Sequence, residues 1–360
     1  MVFSLFDHPH FSALLRHEPI AALFSADAEL AAMLRFEAAL AVAEGEQGVI
    51  PQQAATAIVD AMATFAPDPG ALAAGAARDG LVVPALIAML RDAVGTEHGR
   101  HVHFGATSQD VVDSGLILRV KAALAILRRD LAAILGDLAA LGKAQGKREI
   151  MGRTRMQRAL PITFGDRIAT WASPLEHHLE AQGALERRVL AVQLGGPVGT
   201  LEKLGARGPA VRTALAKQLD LADPGRPWHA ERDRMTDLAQ WLSQVSGALG
   251  KIGQDLVLMA QNEVGEAVLA NGGLSSAMAH KRNPVLAEVL ITLARLNAGQ
   301  LASMHQALVH EGERSGAAWT LEWLVLPEMI ATTAASLQVG RGCLQGLEIR
   351  SGASPRGSGG

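Results

Sequence analysis

Cysteine is almost absent. Cys343 is the single thiol among 360 residues, so no intrachain disulfide can form, which fits a reducing compartment. Tyrosine is missing and aromatic residues total 4%, so a core must be built mainly from small aliphatic side chains. Charge is sparse at 19%, and neither sign dominates: the net charge is −3 and the pI is near 6.5. That removes any general electrostatic case for a nucleic acid or membrane partner. No uncharged apolar run reaches the ~20 residues of a membrane span. The first residues, Met1 to Asp7, lack a basic segment followed by an apolar one, so no signal peptide is expected. These absences favour a cytoplasmic location. What is abundant is hydrophobic residues, at 49%, enough for a sizeable core.

The apolar residues recur at helical spacing over most of the chain. Leu30, Leu34, Ala38 and Val42 predict a helix over 26–47, ended by Gly48 to Pro51. Shorter helices are expected over 52–95, broken by Pro67-Asp68-Pro69-Gly70 and by Asp79-Gly80. Val112, Leu116, Val120, Leu124, Leu127, Leu131, Ile134, Leu138 and Leu141 predict a long helix over 110–146. Further long helices are expected over 163–192, 229–270, 284–311 and 317–346, the last bent near Pro327. Helices average ~11–12 residues, so five this long imply a bundle whose apolar faces pack on each other or on other subunits. The expected fold is all-α. It has a small N-terminal helical domain (1–100), a central long-helix bundle (101–348) and a disordered, glycine- and serine-rich tail (349–360).

Three polar segments punctuate these helices. The first, His103-Phe104-Gly105-Ala106-Thr107-Ser108-Gln109-Asp110, precedes the first long helix. Thr107 or Ser108 can cap it, leaving backbone N–H groups free for an anion. The second, Gly152-Arg153-Thr154-Arg155-Met156-Gln157-Arg158-Ala159-Leu160-Pro161, reads as a basic loop. The third, Gly272-Gly273-Leu274-Ser275-Ser276-Ala277-Met278-Ala279-His280-Lys281-Arg282-Asn283-Pro284, joins hinge glycines to hydroxyls and cations. A loop of this size between long helices is more often functional than connective. Segments so far apart in sequence converge only within a packed bundle or between subunits. His98, His101 and His103 offer a zinc reading, but no cysteine or acidic cluster completes it, and no metal or organic cofactor is expected. Gly195 to Thr200 is a glycine-rich turn with no preceding strand, which excludes a dinucleotide fingerprint.

The third segment resembles the G-S-S-x-M-P-x-K-x-N loop of the fumarase/aspartase superfamily, with Leu274 in place of a glycine and Ala279 in place of the proline. The first resembles that superfamily's G-x-T-S-x-D loop, and the second its G-R-T-H-x-Q-x-A-x-P motif. The resemblance spans roughly residues 1 to 350 and implies a homotetramer with sites shared between subunits. It also implies that the chain ends before a third helical domain. It assigns Ser275, Lys281 and Asn283 to catalysis, with Ser275 the proton-transfer residue. Thr107, Ser108, Gln109, Arg153, Thr154, Arg155, Gln157, Ser276, Met278, His280 and Arg282 are assigned to substrate binding.

Within the superfamily, lyases that expel an amine carry histidine where this chain has Arg155. An amine leaves badly without a general acid, and arginine cannot serve as one near neutrality. Opening a lactone releases a carboxylate, which needs no acid. Arg155, the Arg78-Asp79-Gly80-Leu81-Val82-Val83-Pro84 stretch and the Glu313-Arg314-Ser315…Trp319…Glu322-Trp323 run resemble the carboxymuconate cycloisomerases. That resemblance implies lactonisation of a small tricarboxylate. An amine lyase of the adenylosuccinate type and a non-enzymatic, crystallin-like relative are the alternatives.

Overall fold

A computed structural model describes residues 4–278 and 281–350. The chain opens with α1 (Ser12–Leu15) and α2 (Glu18–Leu23), followed by α3 (Ala26–Glu46), α4 (Gln52–Met62), α5 (Pro69–Asp79) and α6 (Val83–Val94). Local chemistry sets their ends. Ser25 caps α3, its hydroxyl accepting from the Ala28 N–H at 3.2 Å. Asp68 caps α5 through the Gly70 and Ala71 N–H groups at 3.2 and 3.0 Å, with Pro69 at the first helical position. Gly80 ends α5 in a left-handed conformation.

The bundle is built on α7 (Ser108–Gln145), a helix of 38 residues, hence ~57 Å long. A short piece, α9 (Gly208–Leu219), separates α8 (Phe164–Val189) from α10 (Asp233–Met259), and α11 (Val285–Gln306) and α12 (Gly316–Leu344) complete the set. α8 runs back along α7: Gly165 lies beside Gly146, and the Gln182 side chain donates to the Leu124 carbonyl at 2.8 Å. α10 and α12 run parallel to α7. Both Arg232, at the start of α10, and Trp319, in the first turn of α12, donate to Asp113 near the start of α7. Further along, Arg341 of α12 reaches Asp137 of α7 at 2.7 Å. α11 packs antiparallel on α10, with Asn297 bonded to Ser246 and Thr333. Gly250 and Gly253 allow that close approach: a Cβ on either would come within 2.5 Å of Ala294 or Ala287.

Two apolar cores result. The larger joins α7, α8, α10, α11 and α12 through residues such as Leu127, Leu131, Trp171, Leu242, Leu249, Leu290 and Leu337. The smaller joins α3, α4 and α6 to the first turn of α7 and to Val192, Leu194, Val211 and Leu215. It is therefore not a contiguous stretch of chain.

The structure corrects four expectations. The helix expected over 229–270 is α10 alone. Gly265 takes a positive φ, and the Glu266 N–H turns back to the Met259 carbonyl at 2.9 Å. The arginine-rich loop is an antiparallel hairpin, β1 (Glu149–Thr154) with β2 (Gln157–Thr163), closed by Arg155 and Met156 at φ 49° and 67°. Ile150 is buried on the inner face of this hairpin, opposite Ile162. The apolar alternation that favours a strand is thus hidden among the arginines. β3 (Ala267–Leu269) pairs with β6 (Leu347–Ile349), so Ile349 is ordered within a ladder and does not begin a tail; residues 351–360 lie outside the described residues. Finally, β4 (Gly273–Leu274) pairs with β5 (Arg282–Asn283), which makes the serine segment the tip of a short ladder.

Candidate active site

At the amino end of α7, Thr107 is the cap and Ser108 the first helical residue, both half-buried. Asp110 organises this end. Its carboxylate is buried and accepts from four donors: the Thr107 N–H at 2.9 Å, Gly195 N–H at 2.9 Å, Gly196 N–H at 3.0 Å and His229 Nε2 at 2.7 Å. The glycines are required here. A Cβ on Gly195 would lie 2.8 Å from His229 Cε1, and one on Gly196 would lie 2.8 Å from the Gly105 carbonyl. The helix N-terminus carries a partial positive charge suited to a carboxylate.

Gln109, expected from the sequence to contact a ligand, is buried, and its amide is fully engaged within the fold. Nε2 donates to the His229 carbonyl at 2.9 Å and to Asp113 at 3.2 Å, while Oε1 accepts from Arg314 Nε at 2.8 Å. Below it, Arg232 bridges Asp113 and Glu322, all three buried, with its guanidinium 4.7 Å above the Trp228 ring. Burial alone would push the Asp113 carboxyl up, but the Arg232 charge and hydrogen bonds outweigh it, so Asp113 lies below the usual carboxylate range. This network fixes the α7 end as a rigid platform. The sequence motifs include Asp110 and Arg314 without giving either a role, and His229 and Arg232 lie outside them. The signals for Asp110 were its place at the end of the G-x-T-S-x-D resemblance and three residues after a capping threonine.

The other two segments lie at the opposite end of the bundle. The Arg153 Nη1 donates to Glu266 Oε2 at 2.7 Å and to the Met151 carbonyl at 3.0 Å. Thr154, Arg155, Gln157 and the rest of the hairpin tip are exposed, Met156 by 71% and Leu160 by 74%. Arg153, Arg155, Arg167 and Lys251 line a cavity of about 430 Å³ with Gln254, Asp255 and Gln261. Asp255 holds two of these cations: Arg167 lies 3.4 Å away and Lys251 forms a closer pair. Gln261 also lines a second, neighbouring cavity of about 730 Å³, whose wall includes Met278, Lys281, Arg282 and Asn283. Above it, Ser275 Oγ accepts from the Met278 N–H at 3.1 Å and the Ala277 N–H at 3.3 Å. Ser276 and Leu274 are exposed, Leu274 by 77%. His280 lies outside the described residues.

The hairpin and the serine loop therefore share one end, and Thr107 and Ser108 lie at the other, with ~57 Å of helix between them. The three histidines considered for metal go separate ways. His103 Nδ1 lies 2.6 Å from Glu37, His101 Nε2 accepts from Arg100 and His98 lies 3.7 Å from Glu97.

Comparison with known proteins shows the family and the fold. A family model described as Lyase matches residues 16–298. The chain is 41% identical over 345 residues to the 3-carboxy-cis,cis-muconate cycloisomerase of Pseudomonas aeruginosa, covering 94% of this chain and 75% of that one. It is 36% identical over 332 residues to the N-acetyl-S-(2-succino)cysteine lyase of Enterococcus italicus, covering 91% and 73%. The crystal structure of the 3-carboxy-cis,cis-muconate lactonizing enzyme from Pseudomonas putida superimposes with a TM-score of 0.88 at 36% identity, covering 96% and 78%. On the matched motifs, the helical bundle and these likenesses, the chain belongs to the lyase family of the fumarase/aspartase superfamily.

Proposed function

We propose that the chain is a cycloisomerase that converts 3-carboxy-cis,cis-muconate to 4-carboxymuconolactone. The observation that carries this reading is the hairpin cavity. Arginines and a lysine line it, and no histidine does, among the described residues. Such a wall attracts a polycarboxylate and offers no acid to an amine leaving group. The 41% identity to a cycloisomerase supports the same choice.

In the reaction, a carboxylate oxygen of the substrate bonds to one carbon of a double bond. The electron pair moves to the neighbouring carbon, next to a second carboxylate, and that carbon then takes a proton. Written for the ionised substrate, the trianion takes up one proton to give the lactone dianion, and solvent returns that proton to the donor. Ser275 delivers this proton, or removes it in the reverse direction. A serine alkoxide is costly near neutrality, and the two N–H donors on Ser275 Oγ lower that cost. Lys281 and Asn283 stabilise the doubly charged carboxylate formed in the intermediate. Arg155 binds another carboxylate through its planar fork. Thr107, Ser108 and the α7 N-terminus hold a third. Thr154, Gln157, Ser276, Met278 and Arg282 complete the wall, and Gln109 acts by holding the Thr107 end in shape.

One copy cannot supply this set, because its parts lie at opposite ends of α7. The site is shared between subunits of a homotetramer. The exposed apolar side chains at the hairpin and serine-loop tips support this. So does α11, the one described helix long and apolar enough by length and composition to cross a membrane, of whose most apolar 18-residue stretch only 22% is buried within the chain. Neighbouring copies cover that surface. The lone buried Cys343 is in keeping with the cytoplasm.

The relative that cleaves a succinylated cysteine favours a second reading. A thiolate also leaves as an anion without a general acid, so Arg155 does not discriminate against thiol elimination from a succinyl unit. The test is ultraviolet absorbance. Loss of the diene of 3-carboxy-cis,cis-muconate is expected at enzyme-like rates. Its absence, together with release of free thiol from an S-succinyl cysteine, would transfer the assignment to the second reading.

A further inference from the structure

We infer that Glu266 is a positioning residue that locks the arginine hairpin to the segment carrying the catalytic serine. It lies outside all three polar motifs. The residue is buried, at 1% exposure, yet charged residues are almost never buried without a partner for the charge. Both oxygens are engaged by β1: Oε1 accepts from the Met151 N–H at 3.0 Å and Oε2 from Arg153 Nη1 at 2.7 Å. The backbone of the same residue is tied on both sides. Its N–H donates to the Met259 carbonyl at the end of α10, and its carbonyl accepts from the Arg350 N–H, each at 2.9 Å. β3 starts at the next residue and leads within a few residues to the Gly272 hinge. One residue thus joins three things: its carboxylate holds the strand bearing Arg153, and its backbone is tied to the end of α10 and leads into the approach to Ser275. Because Glu266 occupies one edge of the Arg153 guanidinium, it fixes where the remaining N–H groups point in the cationic cavity.

This inference rests on the lactonising reading for its kinetic test, and a second measurement is independent of it. Glu266→Gln keeps the shape and removes the charge. We expect it to lower kcat/KM for 3-carboxy-cis,cis-muconate about 10- to 100-fold, as Arg153→Met does, because small misplacements of binding groups are expensive. The double variant should fall no further than the worse single one, since both remove the same contact. Guanidinium ion should partly restore Arg153→Ala but not Arg153→Ala combined with Glu266→Gln. A Glu266 that is only structural would give independent, multiplying losses and no difference in rescue, and either result would overturn the inference. Amide hydrogen exchange reports on the coupling without any substrate: Glu266→Gln should raise exchange in both 149–163 and 267–278. Faster exchange in the hairpin alone would also overturn it. If the wild type fails to lactonise at all, the proposed reaction falls, and the exchange result still decides the role of Glu266.

Discussion

At the scale of single residues, the proposed chemistry makes an ordinary hydroxyl into a proton carrier. Ser275 stands on the tip of a short ladder, with two backbone N–H groups directed at its oxygen and Lys281 and Asn283 on the same loop wall. Removing the hydroxyl should lower kcat by several orders of magnitude while leaving the fold intact. The check is to measure turnover and the melting temperature of Ser275→Ala together. An active, normally melting variant would move the role to Ser276, which lies next to it but is exposed. Arg155 illustrates the other constraint at this scale. It holds a positive φ at the hairpin tip, as does Met156 beside it, and neither is a glycine. Such conformations cost of order 1–3 kcal/mol each and persist at ligand-binding tips.

At the scale of elements, α3 carries an unusual burden. Glu44 is buried and neither carboxylate oxygen has a hydrogen-bond partner. Burial, reinforced by the negative charge of Glu37, pushes its pKa up to about 9 from an ordinary 4.5. The folded state therefore keeps a proton that the unfolded state loses between these values. Stability must fall as pH rises through that window, by up to about 1.4 kcal/mol per pH unit. Glu44→Gln cannot lose a proton, so its melting temperature should gain on that of the wild type between pH 5 and pH 8. A difference that stays constant with pH would contradict this.

The elements also show what the sequence made legible. α3, α7, α11 and α12 follow the apolar spacing of Leu30, Leu116, Leu290 and Leu337 because one stripe of each enters a core. Pro327 lies within α12, and the helix continues through it. The hairpin escaped sequence analysis because its pairing depends on Ile150 and Ile162 and on the buried Glu266, while arginines dominate the local composition. The end of α10 escaped because Leu256, Met259, Val264 and Ala267 keep an apolar rhythm past the turn at Gly265. The capping role of Thr107 was visible in three residues. The burial of Gln109 was not, since it depends on His229 and Arg314, 120 and 205 positions away.

At the scale of the whole molecule, the decisive fact is a length. Thr107 and Ser108 sit at one end of a 38-residue helix, and the hairpin and Ser275 at the other. A site that needs both ends must be assembled from different copies. The direct measurement is a mixing experiment followed by diene absorbance. Ser275→Ala removes the proposed proton carrier at one end. Ser108→Asp places a negative charge where a substrate carboxylate should dock, and an acidic residue in a first helical turn is well tolerated. Each variant alone should be inactive. Denatured together in equal amounts and refolded, they should recover about a quarter of wild-type activity, since half the contributions from each end are intact and the two halves combine at random. A mixture no more active than its parents, beside a refolded wild type that is active, would contradict a site shared between subunits.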